Sequence, residues 1–396
     1  MKDLDQYPIT PDFDHWPVTV APVAVHGKDG ALAVEWADGT TSRYHPFLLA
    51  ENDPSADTLH PLSRETTLSP LALPEDLAVR SAEIAANGAV TVHWSHDRPA
   101  SRFHPGWLHG NAWFGHPPAQ STEVFWTAEE QPTPPSFDGT EALRDPAIFL
   151  AWLRALRDYG VARLENMPNE DGLLMQVVER IGPVRESNFG RMYTLEIKDD
   201  PDSNAFTSDA LMQHIDMPTR ECPHGLQFLF CRDNSTSGGE GIYADAYHIA
   251  RDLAEQEPDH FKALCEISWT YNNRSKTNSY KATGPVVERD ETGRITGIRY
   301  NTWLRAPLVA SLADQDRAYR SYRAFAARAQ DPKYQMTFAY RPGDLLAFDN
   351  RRALHGRNGY DAQGGTRFIE GIYSDRDDLH SAIRTLERTL SKETTA

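Results

Sequence analysis

The chain has 396 residues, of which 40% are apolar and 24% are charged, values typical of a globular protein and not of a fibrous or disordered one. Its 40 basic residues against 57 acidic residues give a formal net charge of -17, which argues against a nucleic-acid-binding surface. The 3 cysteines do not indicate a disulfide framework and fit a reducing cytoplasm. No long apolar run occurs, and the start, MKDLDQYPITPDFDHW, has no apolar stretch behind basic residues. We therefore expect neither a membrane span nor a secretory signal.

The first 118 residues contain an internal repeat. One copy, GALAVEWADGTTSRYHPFLL, covers 30–49, and the other, GAVTVHWSHDRPASRFHPGWL, covers 88–108. Each copy has an alternating apolar segment ending in tryptophan, then a polar turn, then Arg-aromatic-His-Pro, a pattern that predicts half-buried strands and turns. Residues 1–118 are therefore predicted to form a small β-rich domain. His45 and His104 occupy equivalent places, where metal binding is one interpretation and structural packing is the preferred one.

Residues 119–137 are rich in proline, serine and threonine and are interpreted as a linker. Residues 138–396 are predicted to form a second domain. It begins with a helix from Asp145 to Tyr159 that ends at Gly160, followed by a strand at VARLENM and a helix at LLMQVVERIG. The later predicted strands are MYTLEI, GLQFLFC, GIYADA, EISWTY, GIRYNTW, YQMTFAY, DLLAFDN and TRFIEGIY, with a hairpin around Glu291 and helices near 247–264, 313–329 and 376–390. A mainly β domain with flanking helices, a β-sandwich or jelly roll, is therefore expected.

The candidate site begins with His214 and Asp216, which stand two residues apart on a predicted strand and so project from the same face. This is the only His-x-Asp in the chain, and alone it is a weak signal. Far along the chain, His355 follows a predicted strand, and Arg367 begins the next one. Two histidines and a carboxylate form the ligand set of non-haem Fe(II) oxygenases. An arginine presents a planar fork suited to the distal carboxylate of 2-oxoglutarate.

From about residue 140 to 390 the chain resembles the Fe(II)/2-oxoglutarate dioxygenases of the taurine-dioxygenase superfamily, with a likeness to the γ-butyrobetaine hydroxylases. The segments that carry this resemblance are HIDMP, PHGLQFLFC, GGEGIYADAYHIA, RPGDLLAFDNRRALHGRNGY and RFIEGIYSD. The N-terminal region, with WADG and HPFLL, also resembles that subfamily.

The resemblance implies a double-stranded β-helix, or jelly roll, that holds Fe(II) through His214, Asp216 and His355 and uses 2-oxoglutarate and O2 as cosubstrates. It implies that Arg367 binds the distal carboxylate of 2-oxoglutarate and that Leu229 packs beside it. Some family members add a hydroxyl residue at the place taken here by Gly241, so that contact is missing or supplied elsewhere. The implied reaction is hydroxylation of an unactivated C–H bond.

The resemblance further implies a substrate with a trimethylammonium group. A quaternary ammonium cannot donate a hydrogen bond, so aromatic ring faces are its natural receptors. Asn204 and Asn301 lie at or next to places that bind the substrate carboxylate. Arg299, two residues before Asn301, either faces the substrate anion or is exposed on its strand. The implied cage residues are Phe189, Tyr193, Phe206 and Tyr373.

The chain departs from the γ-butyrobetaine and trimethyllysine hydroxylases in one respect. Those enzymes hold an N-terminal zinc ion with three cysteines and a histidine, whereas this chain has no cysteine before Cys222, so no structural zinc is expected. This loss, together with Arg299, favours 2-(trimethylammonio)ethylphosphonate as the substrate, and γ-butyrobetaine hydroxylation to carnitine is the alternative. Both substrates offer a carbon β to the quaternary nitrogen.

Two other expectations concern the class and the partners of the protein. A non-catalytic binding protein for quaternary ammonium compounds is a distant alternative, which the complete ligand set disfavours. The resemblance supports a homodimer, and the expected partner is a small-molecule substrate, with no nucleic acid or membrane partner.

Overall fold

The computed structural model describes residues 7–115, 122–197, 204–273, 275 and 277–395. It divides the chain into two compact units, one formed by Met1–Ser121 with Ser391–Ala396 and the other by Thr122–Leu390. Within the described ranges, none of the helices has both the length and the apolar character that crossing a bilayer requires.

The first unit repeats one small motif twice, a three-stranded antiparallel sheet followed by a short helix. In each copy the tryptophan that ends the middle strand donates from its indole to a serine of the third strand. Trp36 donates to Ser42 at 2.8 Å, and Trp94 donates to Ser101 at 2.9 Å. The elements are β1 Pro22–Lys28, β2 Ala31–Trp36, β3 Thr41–Tyr44, α1 Pro46–Glu51, β4 Val79–Ile84, β5 Val90–Trp94, β6 Ser101–Phe103 and α2 Pro105–Gly110.

His45 and His104 cap the two helices of this unit. Nδ1 of His45 accepts the backbone N–H of Phe47 at 3.1 Å, and Nδ1 of His104 accepts that of Gly106 at 3.0 Å. The first N–H groups of a helix have no partner within the helix, so a side-chain acceptor at this place stabilises its start. The structure therefore gives both histidines the structural role that was preferred from the sequence.

Fourteen strands and seven α-helices follow within the described residues from 122 onward, and the last helix extends past the end of the second unit at Leu390. They are β7 Ser136–Asp138, α3 Gly139–Arg144, α4 Pro146–Tyr159, β8 Val161–Glu165, α5 Leu173–Glu179, β9 Tyr193–Thr194, β10 Leu211–His214, β11 Leu226–Asn234, β12 Gly241–Asp245, α6 Ala246–Gln256, α7 Pro258–Glu266, β13 Trp269–Asn272, β14 Lys281–Gly284, β15 Val287–Arg289, β16 Ile295–Ile298, α8 Leu312–Ala329, β17 Met336–Phe338, β18 Leu345–Asp349, β19 Ala353–Arg357, β20 Arg367–Ser374 and α9 Arg376–Thr395.

Two sheets of this unit position the candidate site. The larger has the order β7-β8-β18-β11-β20-β9 and the smaller the order β10-β19-β12-β17. Every neighbouring pair is antiparallel except β7 and β8. Strand β11 is buried on both faces, which explains its nearly continuous apolar sequence. Phe228 packs with helices α3, α4, α5 and α9, whereas Leu229 packs with residues of the smaller sheet. The two sheets therefore share one core as a sandwich.

The predicted linker over 119–137 does not describe the chain from Thr122 onward, which is part of the second unit. The side chain of Trp126 is 1% exposed and donates to the carbonyl of Tyr159 at 2.8 Å. The guanidinium of Arg352 donates to the carbonyl of Val124 at 2.6 Å. Residues 119–121 lie outside the described ranges. The proline-rich composition thus marks irregular backbone that is packed against the second unit.

Three other predicted elements differ from the structure. The helix near 247–264 is two helices, because Pro258 has no N–H to continue the first one and begins the second. Of the predicted strand MYTLEI only Tyr193–Thr194 pairs, and of GIRYNTW only its first two residues belong to Ile295–Ile298. Residues 299–301 therefore lie beyond a strand, where alternation no longer fixes the side-chain direction.

Candidate metal centre and active site

The structure brings together the predicted ligands His214, Asp216 and His355. His214 is the last residue of β10, and His355 lies directly opposite it on β19. The ligand atoms of the three side chains lie within 4.8 Å of one another, and no other such group occurs in the described ranges. Antiparallel pairing explains how residues so distant in sequence become neighbours.

Asp216 directs its two carboxylate oxygens to different partners. Oδ1 lies 3.2 Å from Nε2 of His214 and 3.7 Å from Nε2 of His355. Oδ2 accepts a hydrogen bond from the hydroxyl of Tyr373 at 2.7 Å. Burial favours a higher pKa for Asp216, but the neighbouring imidazoles of His214 and His355 outweigh it and hold the pKa of this carboxyl well below its usual range. The carboxylate is therefore ionised.

The two imidazoles are suited to bind a metal through Nε2. Nδ1 of His214 lies 2.9 Å from the carbonyl of Met212, which can only accept, so Nδ1 carries the proton and Nε2 keeps its lone pair. Burial, and then the proximity of His214, lowers the pKa of His355, which favours its neutral form. A carboxylate and two neutral imidazoles are the donor set of non-haem Fe(II) sites. The residues present therefore fit Fe(II).

Asn350 holds the backbone of Asp216 in place. Its Oδ1 accepts the N–H of Asp216 at 2.7 Å, and its Nδ2 donates to the carbonyl of Asp216 at 3.0 Å. The same Nδ2 donates to the carbonyl of His224 at 3.0 Å, and the side chain is fully buried. Sequence analysis did not identify this residue, although a polar residue directly after the apolar strand Leu345–Asp349 is a signal of a local structural role.

Arg367, the first residue of β20, lines the same cavity as the three ligands. Its Nε and Nη1 are buried and have no hydrogen-bond partner within the described part of the chain. Buried N–H groups of a guanidinium are unfavourable without an acceptor, and a carboxylate supplies two. Leu229, which is 6% exposed, lines this cavity as well. These two residues therefore fit a 2-oxo acid with a distal carboxylate.

The cavity has a volume of about 440 Å³, within the usual range for small-molecule sites. All four aromatic residues of the predicted cage line it. The rings of Tyr193 and Tyr373 stack with their centroids 5.0 Å apart. The ring of Phe189 lies 6.3 Å from that of Tyr193 and 6.2 Å from that of Phe206. The four rings thus form one connected wall that meets the metal centre at Tyr373.

Asn204 and Asn301 also line the cavity. Oδ1 of Asn301 accepts the backbone N–H groups of Trp303 at 3.1 Å and Leu304 at 3.0 Å. Its amide nitrogen donates to the carbonyl of Ile215 at 3.5 Å, which leaves one N–H of this group for a ligand. An amide donor is suited to a carboxylate group of a ligand.

Arg299 is in a third arrangement that neither sequence-based alternative describes. It is 4% exposed and is not among the residues that line the cavity. Its guanidinium donates to the carbonyls of Pro218 and Arg220 at 2.7 Å each and to that of Glu221 at 3.1 Å. It also pairs with the carboxylate of Glu288 at 3.1 Å. Arg299 therefore stabilises the segment after Asp216, and its N–H groups are occupied.

Three more polar residues of the cavity wall were missed from the sequence. Tyr243 and Tyr340 are buried, with their hydroxyl oxygens 2.5 Å apart. Gln227 donates from Nε2 to the hydroxyl of Tyr193 at 2.7 Å. The two tyrosines were missed because aromatic residues in strands are usually core residues. Gln227, in contrast, is a polar residue inside the apolar run GLQFLFC, and this signal could have identified it.

Comparison with known proteins gives two family matches. Residues 117–373 match the family described as taurine catabolism dioxygenase TauD, TfdA family, and residues 23–109 match the family described as gamma-butyrobetaine hydroxylase-like, N-terminal. The chain is 36% identical over 364 residues to gamma-butyrobetaine dioxygenase of Pseudomonas sp. (strain AK-1), covering 90% of this chain and 94% of that protein. It is 24% identical over 370 residues to mitochondrial trimethyllysine dioxygenase of Mus musculus, covering 91% and 86%. Among solved structures, the non-heme iron oxygenase OrfP with Fe and alpha-ketoglutaric acid has a TM-score of 0.47 at 15% identity, covering 59% of this chain and 81% of that chain.

Proposed function

The chain belongs to the TauD, TfdA family of dioxygenases, and on that premise we propose that it hydroxylates γ-butyrobetaine at the carbon β to nitrogen and so forms carnitine. It is an enzyme that depends on Fe(II) and 2-oxoglutarate. The observation that carries the choice of substrate class is the aromatic wall that joins the metal centre at Tyr373. Together with Fe(II), 2-oxoglutarate and O2 supply the oxidising chemistry that replaces C–H by C–OH.

In this proposal the cavity has three parts, which bind the metal, the cosubstrate and the substrate. His214, Asp216 and His355 hold the iron. Arg367 binds the distal carboxylate of 2-oxoglutarate, and Leu229 excludes water beside it. Because both ends of the cosubstrate are fixed, the rest of the cavity is left for the substrate, with one of its carbons near the metal.

The substrate is held by its two ends. Phe189, Tyr193, Phe206 and Tyr373 present ring faces to the trimethylammonium group, an attraction of about 0.5 to 2 kcal/mol for each well-placed ring. Asn204 and Asn301 donate hydrogen bonds to the opposite end. Because the two ends of the substrate are fixed, the carbon β to nitrogen is the one held near the metal.

Two observations favour a carboxylate over a phosphonate at that opposite end. The relative at 36% identity is a gamma-butyrobetaine dioxygenase, and it covers 90% of this chain. The guanidinium of Arg299, which supported the phosphonate in the sequence analysis, is occupied by three carbonyls and Glu288. The positions of Asn204 and Asn301 in the wall suit the single negative charge of a carboxylate.

The test compares the formation of succinate from 2-oxoglutarate with γ-butyrobetaine, 2-(trimethylammonio)ethylphosphonate or trimethyllysine as substrate. We expect γ-butyrobetaine to give one succinate per hydroxylated product, identified by the mass of one added oxygen atom. The variants H214A and D216A are matched controls and should abolish turnover. Faster coupled turnover of the phosphonate or trimethyllysine would overturn the choice of substrate, and full activity of both controls would overturn the metal assignment.

Four further expectations belong to this proposal. The two sheets, antiparallel except for the pair β7 and β8, and their shared core support a double-stranded β-helix. The free thiols Cys222, Cys231 and Cys265 support a cytoplasmic setting. The homodimer and the lack of a structural zinc ion stay predictions, which sedimentation and metal analysis of the purified protein will test.

A further inference from the structure

Tyr243 and Tyr340 form a buried pair of phenols in the wall of the active-site cavity. Their hydroxyl oxygens lie 2.5 Å apart, and the two side chains are 1% and 3% exposed. Tyr243 lies directly opposite His355 in the smaller sheet, so the pair is adjacent to the metal centre. Both residues line the cavity together with Arg367.

The pair has one donor proton that it does not use internally. Each phenol carries one O–H, and their mutual hydrogen bond consumes one of the two protons. Burial raises the pKa of both phenols, so both protons are retained. The charge of Arg367 opposes this rise at each hydroxyl, which indicates that the guanidinium is near the pair. Nε and Nη1 of Arg367 have no hydrogen-bond partner among the residues that the structure describes.

Among the described residues, the N–H groups of Arg367 and the free proton of the phenol pair therefore lack a matching acceptor. A guanidinium with free N–H groups and a phenol pair with a free proton together match a carboxylate, whose two oxygens accept several hydrogen bonds.

Gly241 explains why the phenols occupy this place. A Cβ added at Gly241 would lie 2.9 Å from Cε2 of Tyr243 and 3.0 Å from Cε2 of Tyr340. A serine or threonine at this position is thus incompatible with the two rings as they are packed. Gly241 is the position at which the sequence analysis found a hydroxyl residue to be missing.

We propose that the Tyr243–Tyr340 pair supplies the hydroxyl donor absent at Gly241 and binds, together with Arg367, the distal carboxylate of 2-oxoglutarate. The pair is thereby a determinant of selectivity for a 2-oxo acid that has a second carboxylate. This inference rests on the use of 2-oxoglutarate by the family and is independent of which trimethylammonium compound is hydroxylated.

The test measures binding by calorimetry on the Fe(II)-loaded protein without oxygen, using 2-oxoglutarate and 2-oxobutanoate as probes. 2-Oxobutanoate keeps the end that binds the metal and lacks the distal carboxylate. We expect the double variant Y243F/Y340F to bind 2-oxoglutarate on the order of tenfold to a hundredfold more weakly, as for a lost hydrogen bond to a charged group. Binding of 2-oxobutanoate should change by less than about twofold, since it makes no contact that the variant loses.

The single variants Y243F and Y340F separate the two phenols, and R367M is the control in which the loss of 2-oxoglutarate binding is expected from Arg367 itself. The single variant that removes the free proton should reproduce most of the loss seen in the double variant. Equal weakening of both probes would show a merely structural role, and unchanged binding of 2-oxoglutarate in the double variant would also overturn the proposal. Neither result depends on turnover of γ-butyrobetaine, so the two proposals fail separately.

Discussion

The hydroxyl of Tyr373 donates to Oδ2 of Asp216 at 2.7 Å, while its ring stacks on Tyr193 with the centroids 5.0 Å apart. One side chain thus contacts both a proposed metal ligand and a residue of the proposed aromatic cage. The hydrogen bond occupies Oδ2 and leaves Oδ1 to face both imidazoles. The proximity of an anionic carboxylate to the phenol also makes the ring face more attractive to a cation.

Replacing Tyr373 by phenylalanine separates these two roles. The ring is kept, but the hydrogen bond to a buried, ionised carboxylate is lost, so we expect Fe(II) to bind about 10- to 100-fold more weakly. The KM for γ-butyrobetaine at saturating Fe(II) should change little. Anaerobic metal titration and steady-state kinetics measure the two quantities. A large rise in KM with unchanged metal affinity would contradict the role assigned to the hydroxyl.

Replacing Phe206 by leucine tests the cage. We expect γ-butyrobetaine to bind roughly 5- to 30-fold more weakly, because one ring face is removed from the cation. The matched probe is 5,5-dimethylhexanoate, which has the same shape with an uncharged tert-butyl group, and its binding should fall less. The affinity for 2-oxoglutarate serves as the control and should be unchanged. Equal losses for the charged and uncharged probes would argue against a cation–π role.

Arg357 connects the segment that carries Phe206 to the strand that carries His355. It lies on β19 two residues after His355 and donates to the carbonyls of Ala205 at 3.1 Å and of Thr207. We expect R357M to release the segment that carries Phe206 and to raise the KM for substrate by about tenfold, since a small displacement weakens the cage. Metal affinity, measured by titration, should stay within about twofold. A primary loss of metal binding would show instead that Arg357 supports β19.

Arg299 is predicted to act on stability and not on substrate choice. R299M leaves the carbonyls of Pro218, Arg220 and Glu221, the first of them buried, without their donor and removes one partner of Glu288, so we expect a loss of about 2 kcal/mol or more in the free energy of unfolding. Chemical denaturation measures this loss. The ratio of γ-butyrobetaine to phosphonate turnover should be that of the unmodified protein. A selective loss of phosphonate turnover would restore the anion-binding role considered from the sequence.

His224 gives the stability of the second unit a dependence on pH. Burial, reinforced by Arg185, lowers its pKa from 6.5 to about 4. As the pH falls from 6.5 towards 4, the unfolded chain takes up a proton that the folded chain does not, so stability falls in this window by about 3 kcal/mol. Between these pH values, the free energy of unfolding of H224F should vary less with pH than that of the unmodified protein. The exposed His26 provides the control variant H26Q, and an equally reduced pH dependence in both variants would refute the assignment.

The sequence predicted that His214 and Asp216 lie together, because residues two apart on one strand share a face. The structure does bring them together, but β10 ends at His214, and the backbone of Asp216 is held by the side chain of Asn350 and not by strand pairing. The same rule failed for Arg299 because the strand ends at Ile298, and beyond that point tertiary contacts decide the side-chain direction. Helix α4 was predictable from its apolar spacing and from Gly160, whose φ of 71° ends it.

Other features depend on contacts between distant segments and leave little trace in a single sequence. The hydroxyl of Tyr373 reaches Asp216 across 157 positions of the chain, and that of Tyr243 reaches Tyr340 across 97. The sequence identifies these residues as aromatic, but it does not state which polar group each will meet. The glycine at 241 was noticed as a missing hydroxyl, and only the packed rings explain it.

The amide of Asn350 has a consequence for how the protein acquires its metal. It links the backbone of Asp216 to the turn that leads into β19, and thus to the strand that carries His355. The hydrogen bonds that hold Asp216 near His355 are thus made by the protein with itself. We expect metal uptake to require loss of water from the ion and little rearrangement of the protein. We expect other divalent first-row ions to enter the same arrangement, so that the identity of the bound metal follows from its availability and its intrinsic affinity for nitrogen and oxygen donors.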